Sequence, residues 1–281
     1  MQSAIETLPP PVVSGDIYEV YAMRYATSPE QKRSHCFMRG AINDLHDGPM
    51  PLDFFVWIIR NSERLILVDT GFGHKSASER QRPIFFAPHE GLARIGIPED
   101  SIKEIILTHL HFDHAGGLDR YPNARFHIQD SEVEYATGRC MCHPVGRFAY
   151  DVEDVVTLVR RTYAERVMFH DGDADIFPGI SVHLLPGHSQ GIQGVRVNTA
   201  RGPVLLASDA SHCYENFSRN APYAIMTSLK DSLNSYRRFH ELVEDTDHII
   251  PGHDPLVRSF YPSLNVQGIE LSMLHEPVVS R

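Results

Sequence analysis

The sequence predicts one domain of mixed α and β structure whose strands end in loops rich in metal-binding side chains. Apolar runs of strand length occur along most of the chain, two of them around a hairpin turn. Other segments repeat their apolar residues at helical spacing. No Ser/Gly/Pro-rich linker or block of charge divides the 281 residues, and 42% hydrophobic content is enough for a substantial core.

Residues 1 to about 50 read as an N-terminal arm, with a strand-like segment around Tyr18 to Tyr25 and then a loop rich in Ser, Asp, Gly and Pro. Phe54-Phe55-Val56-Trp57-Ile58-Ile59 and Leu65-Ile66-Leu67-Val68 flank Asn61-Ser62-Glu63, a hairpin signature, and Asp69-Thr70-Gly71 makes the next turn. Arg80 to Ile95 reads as loop then helix, and Ile102 to Leu107 as a strand. Arg125-Phe126-His127-Ile128-Gln129 is a further strand, and Asp130-Ser131-Glu132-Val133-Glu134 has the cap-and-acid pattern of a helix start. Val152, Val155, Val156, Val159 and Tyr163 recur at helical spacing within a region, about 137–167, that reads as a helical insertion near the site. Leu229, Leu233, Tyr236, Phe239, Leu242 and Val243 mark an amphipathic helix.

The strand ends carry the chemistry. Thr108-His109-Leu110-His111-Phe112-Asp113-His114 packs four metal-capable side chains into six residues after the apolar run Ile105-Ile106-Leu107. That is more than one catalytic ion needs from one segment, so the spacing predicts two neighbouring ions, with His109 and His111 on one and Asp113 and His114 on the other. Three later strands stop in similar loops: Ile180 to Leu185 at Pro186-Gly187-His188-Ser189, Val204 to Ser208 at Asp209, and His248-Ile249-Ile250 at Pro251-Gly252-His253-Asp254. Convergence on one sheet edge gives His188 to the first ion, His253 to the second and Asp209 to both as a bridge. These ligands suit zinc first, and accept manganese, iron or cobalt according to supply. Asp113 could relay a proton as well as bind metal, and Asp69 could orient a ligand, hold its turn, or do both.

A formal net charge of −10 opposes a nucleic-acid or anionic-membrane surface. Met1-Gln2-Ser3-Ala4-Ile5-Glu6 lacks the basic region and apolar run of a signal peptide, and no apolar stretch approaches roughly 18 residues, so a cytoplasmic enzyme is expected. Cys36, Cys140, Cys142 and Cys213 fit free thiols in a reducing compartment. Histidines outside the ligand set read as ordinary polar residues: His183 on a strand's solvent face, His240 on a helix, His275 in a polar tail, and His35, His46, His74 and His89 in early loops. Phe85, Phe86, Phe148 and Tyr223 could line an apolar pocket, although core packing is the commoner fate of such residues.

With these motifs in order from about Phe54 to about Leu256, and with Val68-Asp69-Thr70-Gly71 ahead of the HxHxDH motif, the chain resembles the metallo-β-lactamase superfamily. Segment lengths and order look most like its N-acyl homoserine lactone lactonases. The resemblance implies a four-layer αββα sandwich with metals at the edge where two sheets meet, and it carries the ligand roles onto His109, His111, Asp113, His114, His188, Asp209 and His253. Two divalent ions sharing one water would supply a bridging hydroxide, polarise a carbonyl on the first ion and stabilise the departing alkoxide on the second. The expected substrate is a small lactone, either an acyl-homoserine lactone or an aromatic-pathway lactone.

Two departures from the resembled lactonases stand out. Many carry a tyrosine three residues beyond the bridging aspartate, where this chain has His212; Tyr214 lies two residues further on. Both are candidates to assist the carbonyl, His212 as hydrogen-bond donor or proton shuttle. The loop Ser189-Gln190-Gly191-Ile192-Gln193-Gly194 also differs, which leaves acyl-chain preference open.

A thioesterase of the glyoxalase II type, or another carboxylic ester hydrolase, is the alternative; the thioesterase is weakened because only Arg258 and Arg281 follow His253 to hold glutathione's carboxylates. A diiron redox enzyme would need a flavin partner domain, and a metal-binding scaffold without activity would lack ligands. A homodimer is expected if the arm or the 137–167 region covers a neighbour.

Overall fold

The computed structural model describes residues 6–38 and 47–279. His46, Arg281 and most of the Met1 to Glu6 segment lie outside the described residues. Strands β1 (Glu19–Ser28), β2 (Leu52–Arg60), β3 (Leu65–Val68), β4 (Glu104–Ile106), β5 (Arg125–Gln129) and β6 (Val167–His170) join one sheet with the last two strands, β12 (Ser263–Val266) and β13 (Ile269–Met273). Its order is β12-β13-β1-β2-β3-β4-β5-β6. The strands β7 (Ala174–Phe177), β8 (Ile180–Leu184), β9 (Gln193–Thr199), β10 (Gly202–Ser208) and β11 (Ile249–Pro251) form a second sheet, ordered β11-β10-β9-β8-β7.

Alternation along β2 explains why the sheets stack. Val56 and Ile58 pack with Leu92, Ile95 and Leu158 on the helix-covered face, whereas Phe55, Trp57 and Ile59 pack with Val182, Val195, Val204 and Leu206 of the second sheet. A period of two thus buries both faces of the strand and makes the run continuously apolar. The outer face of the second sheet, through Leu205, Ala207 and Ile249, is covered by Tyr236, Phe239 and Leu242 of the helix Leu229–Leu242. Helices, sheet, sheet and helices give the four-layer αββα sandwich.

The β2–β3 hairpin closes on Asn61, whose Oδ1 accepts from the backbone of Glu63 and Arg64. From β3 to β6 the pairing is parallel, as it is between β10 and β11. Parallel strands need crossovers, which the helices Pro88–Arg94, Asp130–Ala136, Val152–Tyr163 and Leu229–Leu242 contribute to. The carboxyl ends of β3 and β4 in one sheet, and of β8, β10 and β11 in the other, therefore deliver their loops to a shared edge.

The N-terminal arm is more than a peripheral segment, because β1 lies between β13 and β2 inside the larger sheet. Region 137–167 holds short helices at Pro144–Arg147 and Val152–Tyr163 and then enters β6. Strands β7, β9, β12 and β13 carry too few consecutive apolar residues to stand out in the sequence. Among the described residues, no helix is long and apolar enough to cross a membrane.

Candidate metal centre

The loop after β4 turns at once into the short helix Phe112–Ala115, so that His109, His111, Asp113 and His114 leave the backbone in different directions but converge. Asp69, at the end of β3, fixes this turn. It sits at φ 62°, and its Oδ1 accepts from Thr108 N at 2.7 Å. Its Oδ2 accepts from Thr108 Oγ1 at 2.8 Å and faces His114 Nδ1 at 2.7 Å. Turn-holder and imidazole-orienter are thus one residue. Ser208, at φ 47°, plays a comparable part before Asp209, its hydroxyl 3.0 Å from that of Thr108. Gly252 permits the last approach: a Cβ there would stand 2.4 Å from Asp209 Oδ1.

Three of the rings have a partner for the nitrogen that faces outward. His109 Nδ1 lies 3.1 Å from Thr108 Oγ1, His188 Nδ1 2.8 Å from Ile225 O, and His253 Nδ1 2.8 Å from Asp53 O. These contacts leave Nε2 of each ring facing inward. There, Asp209 Oδ2 lies 3.4 Å from His188 Nε2 and 4.0 Å from His109 Nε2, while Oδ1 lies 2.9 Å from His253 Nε2 and 3.3 Å from His114 Nε2. Asp113 Oδ2 stands 3.6 Å from His253 Nε2 and 3.7 Å from His114 Nε2. Ligands about 2.0–2.1 Å from a tetrahedral ion lie about 3.3 Å from one another, which matches these separations.

Three sets result: His109, His111 and His188 on one side, Asp113, His114, Asp209 and His253 on the other, and His188, Asp209 and His212, which shares a residue with each. His109 Nε2, His114 Nε2 and Asp209 Oδ1 are buried with no hydrogen-bond partner. Buried polar atoms without partners are costly, and a divalent cation is the ligand that would satisfy an imidazole lone pair and a carboxylate oxygen together. The residues present therefore fit a pair of divalent ions.

Electrostatics agree. Burial, reinforced by neighbouring imidazoles, holds His109 and His111 well below the usual histidine range and His188 at about 3, so all three are neutral donors. Burial opposes charge on Asp209, but His212, His253 and His114 around it keep its carboxyl ionised. His114 and His253 are pushed up against the effect of burial by Asp209 and Asp113.

The cluster lies on a cavity of about 370 Å³, bordered also by Phe54, Phe112, Phe148, Tyr223 and Ile225. His212 borders it too, with Nε2 3.0 Å from Asp209 Oδ2 and Nδ1 unpaired. Tyr214 is not brought to the cluster. The helix Tyr214–Ser218 starts there, and the phenol turns to Phe260, ring centroids 5.2 Å apart, on a separate cavity of about 540 Å³. The phenol at the metal-side cavity is Tyr223, stacked on the His212 ring at 3.5 Å and 7°. Of the other aromatic candidates, Phe148 borders this cavity, Phe86 is core and Phe85 is half exposed.

A family model for the metallo-beta-lactamase superfamily matches residues 53–253. The chain belongs to the metallo-β-lactamase superfamily. An N-acyl homoserine lactonase of Bacillus sp is 30% identical over 222 residues, covering 72% of this chain and 82% of the relative. An N-acyl homoserine lactonase of Bacillus cereus is 30% identical over 235 residues, covering 77% and 88%. Among solved structures, an N-acyl homoserine lactone hydrolase with the product N-hexanoyl-L-homoserine bound at its catalytic metal center aligns with a TM-score of 0.70 at 26% identity, covering 86% of this chain and 95% of that one.

Within this superfamily member, sequence reasoning missed Glu132. Read only as a helix-start acid, it is fully buried and ties both metal loops together, accepting from Leu110 N, Tyr150 Oη, Ser189 Oγ and Gly191 N at 2.6–3.1 Å. Its only signal was an acid in the first turn of a helix. His183 is corrected as well: it is not on a solvent face but closed between Ser181 and Asp173. His275 packs edge-on against Tyr21 and is not a free tail residue.

Proposed function

We propose that this protein is a metal-dependent hydrolase that opens a lactone ring, with an N-acyl homoserine lactone or a related small lactone as substrate. The observation that carries this reading is the set of inward-facing, unpartnered imidazole and carboxylate atoms beside a cavity of small-molecule size. The similar hydrolase holding a ring-opened product at its metal center supports the lactone as the bond cleaved. We assign His109, His111 and His188 to one ion, Asp113, His114 and His253 to the second, and Asp209 to both. Zinc is the inferred metal, since it takes nitrogen and carboxylate ligands at low coordination number.

When bound, the ions supply Lewis acidity, lowering the pKa of water toward neutrality and polarising a carbonyl. The protein's own residues do the rest. Asp209 holds the two half-sites in register, one carboxylate oxygen on each side. Asp69 fixes the His114 ring so that only Nε2 is presented. Asp113 Oδ2 faces His253 and His114, and its carboxylate would take up the proton given up by the attacking water and pass it to the departing alkoxide. His212 and Tyr223, stacked face to face on the cavity wall, orient the substrate carbonyl; Tyr214, on the other cavity, takes no part. The chain acts as one metallo-hydrolase domain. Its four free cysteines support a reducing, cytoplasmic setting.

The test is acid release from a panel of lactones, aryl esters, S-acyl glutathiones and β-lactams by metal-loaded protein. Lactones should be cleaved with the highest kcat/KM. Faster cleavage of S-acyl glutathiones would move the assignment to the thioesterase reading.

A further inference from the structure

The metal-side cavity carries two arginines, Arg80 and Arg82. Three other partly buried arginines have carboxylate partners: Arg24 with Asp53, Arg33 with Glu215, and Arg258 with Asp53 and Glu270. Among the described residues, Arg80 and Arg82 form no salt bridge; the carboxyl that feels the Arg80 charge, Asp154, is itself pushed up to about 8 by burial and by Asp151 and Asp119. Arg80 places its guanidinium carbon over Phe112, 3.9 Å from the ring centroid, and donates to the carbonyls of Phe148 at 3.0 Å and Tyr150 at 3.3 Å. Arg82 donates from Nη1 to the Ser28 hydroxyl at 2.8 Å, which leaves most of its five donors free.

Neutral partners fix both guanidinium groups in place without discharging them. Three carboxylates border the cavity, but Asp113 and Asp209 belong to the ligand cluster; away from it Glu79 faces two guanidinium groups, so that part of the wall keeps an excess of positive charge in a protein of net charge −10. A purely apolar acyl tail seated here would strip water from unneutralised cations and return nothing for it. A carboxylate on the tail would instead pair with the guanidinium fork.

We propose that the preferred substrate is a lactone whose acyl side bears a carboxylate, and that Arg82, with Arg80 beside it, is the residue that selects for it. This assignment rests on the lactonase reading and names its substrate class. Arg80 sets the position of the aromatic wall, and Arg82 offers the open donors.

The experiment compares N-succinyl- with N-pentanoyl-homoserine lactone, two tails of similar length that differ in terminal charge, on metal-loaded wild type, R82Q and R82K. Wild type should favour the succinyl compound, and R82Q should shrink that ratio of kcat/KM roughly ten- to a hundredfold, mainly through KM. R82K, which keeps the charge but loses the fork, should retain part of it. Added salt should erode the preference. Calorimetric binding of the two ring-opened acids gives a readout independent of turnover, and the same preference should disappear in R82Q. Equal affinity for both acids in wild type, or an unchanged ratio in R82Q, overturns the assignment. If neither lactone is opened but the calorimetric preference holds and needs Arg82, the anion site stands and the lactonase reading falls.

Discussion

Two histidine networks, a few strands apart, satisfy their polar atoms in opposite ways. On β8, Ser181 Oγ lies 2.9 Å from His183 Nε2, and His183 Nδ1 lies 2.9 Å from Asp173 Oδ2, which also accepts from Arg238 at 2.9 Å. Those distances would suit a serine nucleophile, yet Ser181 sits inside a ladder between Asp175 and Arg196, so its neighbourhood offers no spare backbone donors for an oxyanion. Every nitrogen of the His183 ring is used. At the metal-side cluster the same residue types leave His109 Nε2, His114 Nε2 and Asp209 Oδ1 without partners. A closed network is structure, whereas an open one, buried and surrounded by lone pairs, calls for a cation.

That contrast can be broken by mutation. Asp209→Ala, which removes the carboxylate that reaches both half-sites, should lower turnover on the order of 10³-fold, or ~4 kcal/mol of barrier, with loss of bound metal. His183→Ala should leave turnover and metal content at the wild-type level; an equal loss in both variants would erase the distinction. Asp69→Asn keeps the shape of the turn but weakens the hold on His114, and should cost roughly 10- to 100-fold in metal affinity or activity.

Asp154 sharpens the comparison from outside either network. Its Oδ2 is also buried without a partner, but no imidazole stands beside it, and burial together with Asp151 and Asp119 pushes its carboxyl up to about 8. It meets its burial by keeping a proton. A folded pKa above the unfolded value of 3.8 gives stability that is present below 3.8 and is lost as pH rises through about 8. Asp154→Asn should therefore raise Tm relative to wild type at pH 8–9 and change it little at pH 4, as thermal melts at both pH values would show. Smallest of all, Ser181→Ala should cost about 1 kcal/mol in denaturant unfolding and nothing in turnover.

The ligand loops were legible because each sits where an apolar run stops, and runs such as Ile105-Ile106-Leu107 and Val204-Leu205-Leu206 are buried on both faces. The choice between phenols was not. Tyr214 is nearer Asp209 in sequence, but Asp254 Oδ2 accepts from its backbone N–H at 3.0 Å as the helix Tyr214–Ser218 begins, and the side chain swings toward Phe260. Tyr223 reaches His212 only through the return of the chain after that helix. Glu132 was hidden for a similar reason, since its four donors come from three other segments. Weak strands such as β9, with Gly194 and alternating polar residues, are specified by their neighbours in the sheet and not by local pattern.

The account depends on seven side chains, distant in sequence, holding two divalent ions. Elemental analysis of metal-replete, desalted protein tests this most directly. Two ions per chain in wild type are expected; one or none in wild type would contradict the account.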